Sequence, residues 1–160
     1  MIRRREFALA GLSTVALAAL GSADDKRPDS KEPRRDANNP AAEARHDKCA
    51  KACSDCQREC EACATHCGKL MARSGGEHHL DTLMSCRDCA DLCSTAASLT
   101  ARHGPFADLA CRSCADACAK CATQCERHGR DDAMMTRCAE ECRKCETACR
   151  EMVSHAVADR

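Results

Sequence analysis

The chain has 160 residues and a mass of 17.3 kDa, with 25 Lys plus Arg against 25 Asp plus Glu and a pI near 7.0. That length suits one domain with tails, and the balanced charge argues against a nucleic-acid surface or a polybasic membrane arm, both of which need excess positive charge. The anomaly is 18 cysteines, above the roughly 8–10% that already marks a cysteine-built structure.

Arg3, Arg4 and Arg5 precede the weakly apolar run Ala8 to Leu20, and Gly21-Ser22-Ala23 offers a small-residue cleavage site. The run is shorter than the ~20 apolar residues a membrane span needs, so residues 1–23 read as a signal peptide cut at Ala23. The stretch Arg4-Arg5-Glu6-Phe7-Ala8-Leu9 resembles a twin-arginine signal, which exports folded proteins, and departs from the usual motif at Arg3, Ala8 and Leu9. It implies a bacterial exported protein of the periplasm; an ordinary secretory signal is the alternative. Residues 24–39 carry mixed charge, Pro28 and Pro33, and no apolar side chain larger than Ala, the composition of a disordered linker.

Beyond Ala23 the large apolar side chains are six Leu, five Met, two Val and Phe106. So few would normally leave a chain disordered. Either residues 40–158 do not fold, or the cysteines are the core.

Punctuation divides this region into four helices. Asn39-Pro40 supplies a cap and a proline for the first helical position, and the first helix runs to about Arg73, before Ser74-Gly75-Gly76. A second runs from Glu77 to about His103. A third starts at Pro105, again with Pro at the first helical position, and ends near His128-Gly129. A fourth is capped by Asp131 or Asp132 and ends near Val157. Connections this short force antiparallel neighbours, so the expected fold is all-α, an up-down-up-down four-helix bundle.

The cysteines fall in register. They are Cys49, Cys53, Cys56, Cys60, Cys63 and Cys67 in the first helix, and Cys86, Cys89 and Cys93 in the second. The third holds Cys111, Cys114, Cys118, Cys121 and Cys125, and the fourth Cys138, Cys142, Cys145 and Cys149. Every step within a helix is three or four residues, so each helix carries one stripe of sulfur where a bundle ordinarily places Leu. Thiols this small make a poor packing core on their own. Disulfides along a stripe are disfavoured, because Cβ atoms at i+3 and i+4 lie about 5–6 Å apart where a bridge wants about 3.5–4.5 Å.

Metal binding remains. Structural zinc sites and iron–sulfur clusters use shorter ligand runs set in turns and loops. Cu(I) is soft, selects thiolate and thioether, and accepts two or three ligands. A near-linear S–Cu–S unit spans on the order of 4.5 Å, taking the ~2.3 Å bond of zinc–thiolate as a guide, which suits neighbours on one helix face. Each Cu(I) that replaces a thiol proton keeps a dry core neutral, so capacity should be of the order of the cysteine count. An iron–sulfur electron carrier and a zinc or mixed-metal thionein stay open as alternatives on the residues alone.

These four thiol stripes, over about residues 40–157, resemble the copper storage protein (Csp) family, Cys-rich four-helix bundles that fill their interior with Cu(I). The resemblance implies multiple Cu(I) ions as cargo, a homotetramer, and in exported members supply of copper to a copper-dependent client enzyme. It also implies Met and His ligands at one mouth of the bundle. Met71, His78, His79, Met84, His128, Met134 and Met135 lie toward the end that gathers the first and third connections, and of these Met71, His79, His128, Met134 and Met135 are the candidates for copper capture. His46, His103, Phe106, Met152 and His155 lie at the opposite end, where His46 and Met152 are weaker candidates. His66 falls off the stripe and is expected to be simply exposed. No GxSxG, HExxH or Gly-rich phosphate loop occurs, and no acid–base pair presents itself, so the chain does not read as an enzyme.

Overall fold

The computed structural model describes residues 39–74 and 76–158; the expected signal peptide and the linker up to residue 38 lie outside the described residues. Four helices follow in order: α1 Pro40–Ser74, α2 Glu77–Ala101, α3 Ala107–His128 and α4 Ala133–Ala158. Asn39 caps α1 through its side-chain oxygen, which accepts from the backbone N–H of Ala41 at 3.0 Å and Ala42 at 3.4 Å, with Pro40 at the first position as expected. Asp132, of the two aspartates considered, caps α4. Its Oδ1 accepts from the N–H of Met134 at 2.9 Å and Met135 at 3.1 Å.

The turn between α2 and α3 differs from expectation. α2 stops at Ala101, and α3 begins at Ala107 rather than at Pro105. The cause is His103, whose φ of 52° lies in the left-handed region, the conformation that closes helices and that non-glycine residues seldom adopt. It lets the N–H of Gly104 reach back to the Leu99 carbonyl at 2.8 Å. Gly104 and Pro105 are then consumed by the reversal, and the first helical bond of α3 runs from Ala110 N–H to the Phe106 carbonyl at 3.0 Å.

Each helix packs against its two sequence-cyclic neighbours, α1 on α2 and α4, α3 on α2 and α4, while the diagonal pairs make no backbone approach. That is the antiparallel up-down-up-down bundle. Its core is sulfur: all 18 cysteines are at most 1% exposed. Around them lie buried small residues, among them Ala64, Ala90, Ala96, Ala115, Ala122 and Ala139. Five of the larger apolar side chains, Leu80, Met84, Leu92, Phe106 and Leu109, are displaced outward and exposed, while Leu70, Leu83, Met134 and Val153 pack partly buried against the sulfur core. Ion pairs join neighbouring helices on the outside, Glu59–Arg137 at 2.7 Å, Lys48–Glu151 at 2.6 Å, Glu126–Arg143 at 3.0 Å and Glu61–Arg87. Exposed pairs of this kind contribute about 0.2–1 kcal/mol each.

Candidate metal centre

The step of three or four residues turns every thiol toward the axis, and the absence of bulky core residues lets the four stripes meet. Within one helix, Cys56 and Cys60 have their sulfurs 3.9 Å apart, as do Cys114 and Cys118, and Cys89 and Cys93 stand at 4.0 Å. Between adjacent helices the approach is as close: Cys53–Cys149 at 3.4 Å, Cys93–Cys114 at 3.5 Å, Cys60–Cys142 at 3.6 Å. Sulfurs even touch across the diagonals, Cys49–Cys111 at 3.6 Å, Cys56–Cys118 at 3.8 Å and Cys86–Cys138 at 3.9 Å. All 18 are free thiols.

This geometry refines the expectation of ions strung between neighbours on one helix. Groups of four thiols, with all sulfurs within 4.8 Å of one another, succeed each other along the axis. Among them are Cys53, Cys114, Cys145, Cys149; Cys56, Cys93, Cys118, Cys145; Cys56, Cys60, Cys89, Cys142; Cys60, Cys121, Cys138, Cys142; and Cys63, Cys86, Cys125, Cys138. The second and the last draw one sulfur from each helix. A metal bound to three or four sulfurs at ~2.3 Å sets those sulfurs about 3.8–4.0 Å apart, close to the spacing already present. Sites are therefore shared among helices.

Hydrogen bonding divides the thiols. Cys60 is pushed well above the usual thiol range by its bonds with Cys121, Cys138, Cys142 and Cys56, with burial adding. Cys118 and Cys149 are raised in the same way by their thiol neighbours and by burial. Cys121 and Cys145 are pulled down because the surrounding thiols favour their anionic form. The empty core is a proton-sharing sulfur network, and a soft cation that replaces those protons leaves its charge unchanged.

The candidate capture residues occupy one end. Met135 is 1% exposed and belongs to the buried core; Met71, His79 and Met134 are half-buried, and His128 is exposed. The His78 ring lies 4.0 Å from that of His79 and 5.5 Å from that of His128. Met134 offers its sulfur to Arg137 at 3.1 Å. Met84 is exposed on α2. His66 corrects the sequence expectation: it is half-buried, with Nε2 2.6 Å from Asp132 Oδ2. No local signal links residues 66 positions apart, so only the closed bundle reveals this pair. At the opposite end His46 is buried, bonds the Thr100 carbonyl through Nδ1 at 3.2 Å and stacks on His103 at 4.1 Å. Met152 is buried beside the last thiols and Phe106 lies exposed.

A bundle whose interior is a continuous column of thiols defines a class: helical proteins that hold many soft metal ions in a sulfur core. Within it, residues 42–154 match the copper storage protein (Csp) family, and the chain belongs to that family. Solved structures agree. A Cu(I)-bound copper storage protein of Bacillus subtilis is 33% identical over 68% of this chain and 98% of its own, with a TM-score of 0.61. A cytosolic copper storage protein from Streptomyces lividans, solved with five coppers, is 29% identical over 71% of this chain and 96% of its own, with a TM-score of 0.65. The Streptomyces lividans copper storage protein loaded with 10 copper equivalents gives 30% identity over 69% and 85%, with a TM-score of 0.64. No curated protein sequence matches the chain.

Proposed function

We propose that this protein stores Cu(I), with all 18 cysteines as its ligands, and that it acts as a reservoir rather than a catalyst. The observation that carries this reading is the unbroken succession of four-sulfur groups along the axis. Family membership favours copper over the iron–sulfur and zinc alternatives. Copper reaches the column through the end bearing Met71, His79, His128, Met134 and Met135. Thioethers and imidazoles hold Cu(I) less tightly than thiolates, so ions taken there pass inward. A homotetramer and a copper-dependent client enzyme are further parts of the proposal, supported by the family resemblance. So is export through the twin-arginine signal at Arg4-Arg5, which suits a protein that folds before it crosses; among the described residues no helix is long and apolar enough to cross a membrane.

The test is anaerobic titration of fully reduced protein with Cu(I) against a strong chelator, followed by metal analysis. We expect many ions per chain, of the order of the thiol count, held in a colourless complex with ultraviolet thiolate absorption. Saturation at one or two ions, or a brown chromophore in protein isolated with its metal, would refute storage.

A further inference from the structure

In a chain with so few large apolar side chains, a surface patch of them is informative. α2 carries a second stripe besides its thiols. Asp88, Leu92, Thr95, Leu99 and Arg102 recur at steps of four, three, four and three residues, so they share one flank of the helix. Leu83 identifies the other flank: a Cβ on Gly68 of α1 would lie 3.5 Å from Leu83 Cδ1, so Leu83 faces α1. Leu92 follows nine residues later, half a turn round at about 100° per residue, and so lies on the α3 side.

The turn between α2 and α3 completes the patch. The N–H of Gly104 bonds the Leu99 carbonyl at 2.8 Å, and the chain reverses to set Phe106 and Leu109 at the start of α3. Phe106 is 63% exposed, Leu109 60% and Leu92 37%. Charge frames these side chains. Asp88 and Arg102 are both exposed, and neither forms an ion pair among the described residues. The stripe is therefore negative at one end and positive at the other, with leucine between.

Thr95 stands midway, seven residues from each charge. A two-fold axis at Thr95 lays α2 of a second copy antiparallel on the first. Arg102 of each copy then meets Asp88 of the other. Leu99 comes to the level of Leu92, within the 1.5 Å rise of one residue. A two-fold contact needs a surface complementary to itself in this manner. A parallel pairing would set acid on acid and base on base, and an axis through Asp88 would again oppose two carboxylates.

We propose that the α2–α3 flank is the contact with a second copy of this chain, related by a two-fold axis near Thr95. It supplies one interface of the homotetramer proposed above and rests on that reading of self-association, not on copper storage. α2 runs from the Met/His end of the bundle to the His46 end. The pair therefore lays the two α2–α3 turns beside one another and leaves the two Met/His ends at opposite poles, so each column loads independently.

Charge reversal tests the pairing, read by sedimentation of the reduced, copper-free protein. Wild type should associate. Arg102→Asp and Asp88→Arg should each weaken association about tenfold or more, since like charges then face each other. The combined swap, Asp88→Arg with Arg102→Asp, should restore it. Phe106→Ser with Leu109→Ser should halve the assembly, whereas Leu80→Ser, outside the overlap, should keep the α2 pair. Helical circular dichroism and Cu(I) content per chain should match wild type in every variant. A monomeric wild type, or a swap as weak as the single variants, would overturn the seam. A tetramer whose mass none of these variants changes would overturn it while the homotetramer stands. Low copper content with the seam intact would overturn storage alone.

Discussion

Gly129 is tightly packed at the end where copper entry is proposed. A Cβ there would lie 2.2 Å from Met135 Cβ, 2.7 Å from the Cys125 carbonyl oxygen and 2.9 Å from Met135 Sδ. Its φ of −118° is open to any residue, so glycine is needed for space and not for angle. Gly129→Ala must therefore displace Met135 and crowd the Cys125 carbonyl, and overpacking of this sort costs about 1–3 kcal/mol. A lower urea midpoint for the copper-free bundle is the expected result; an unchanged midpoint would mean that Met135 yields freely. The same residue scale holds the main surprise for sequence reading. The burial of the cysteines follows from register alone, whereas the pairing of His66 depends on a carboxylate, Asp132, brought to it by the turn between α3 and α4.

Among the helices, α2 is the exception. It carries three cysteines where α1 carries six, and its stripe continues through Ala96 and Thr100, both fully buried. Thr100 replaces sulfur with a hydroxyl 3.4 Å from Cys111. Ala96, three residues past Cys93, leaves the level of Cys53, Cys114, Cys145 and Cys149 without a ligand from α2. Ala96→Cys should raise the copper content by about one ion, measured as equivalents bound before free Cu(I) appears; an unchanged content would show that α2 stands too far back at that level. The helices themselves were legible because caps and breakers are local: Asn39, Gly129 and Asp132 act within a few residues of where they stand. The start of α3 was not, because Pro105 is a good first-turn residue in isolation. The left-handed turn at His103, backed by its stacking on His46 of α1, decides otherwise.

For the whole molecule, the bundle could be read from the sequence through a negative, the lack of large core side chains, together with the stripe register. The outward turn of Leu80 and Leu92 on α2 could not, since four Leu on one helix suggest an inner face until cysteine claims it. The buried network also sets a pH dependence. Cys60, Cys118 and Cys149 have pKa values raised by neighbouring thiols and burial, so each holds its proton in the fold at a pH where the unfolded chain has lost it. That contribution is complete below the unfolded thiol value of about 8.5 and is lost as pH climbs above it. Cys121 and Cys145 act in the opposite sense, but desolvation disfavours every buried thiolate. Copper-free protein should thus melt lower at pH 10 than at pH 7, while copper-filled protein, whose sulfurs have no proton to lose, should melt alike at both. Equal melting of the empty protein would contradict a neutral thiol core.

Successive four-sulfur groups have members in common: Cys145 joins the first two, Cys56 the next, Cys60 and Cys142 the third and fourth, and Cys138 the last pair. An ion that takes two or three of the sulfurs at its level can leave the shared one to its neighbour, so adjacent levels can hold separate centres at first. Once the ions outnumber the sets of private sulfurs, each further ion obliges a sulfur to bridge two metals, and the isolated centres condense into a connected chain.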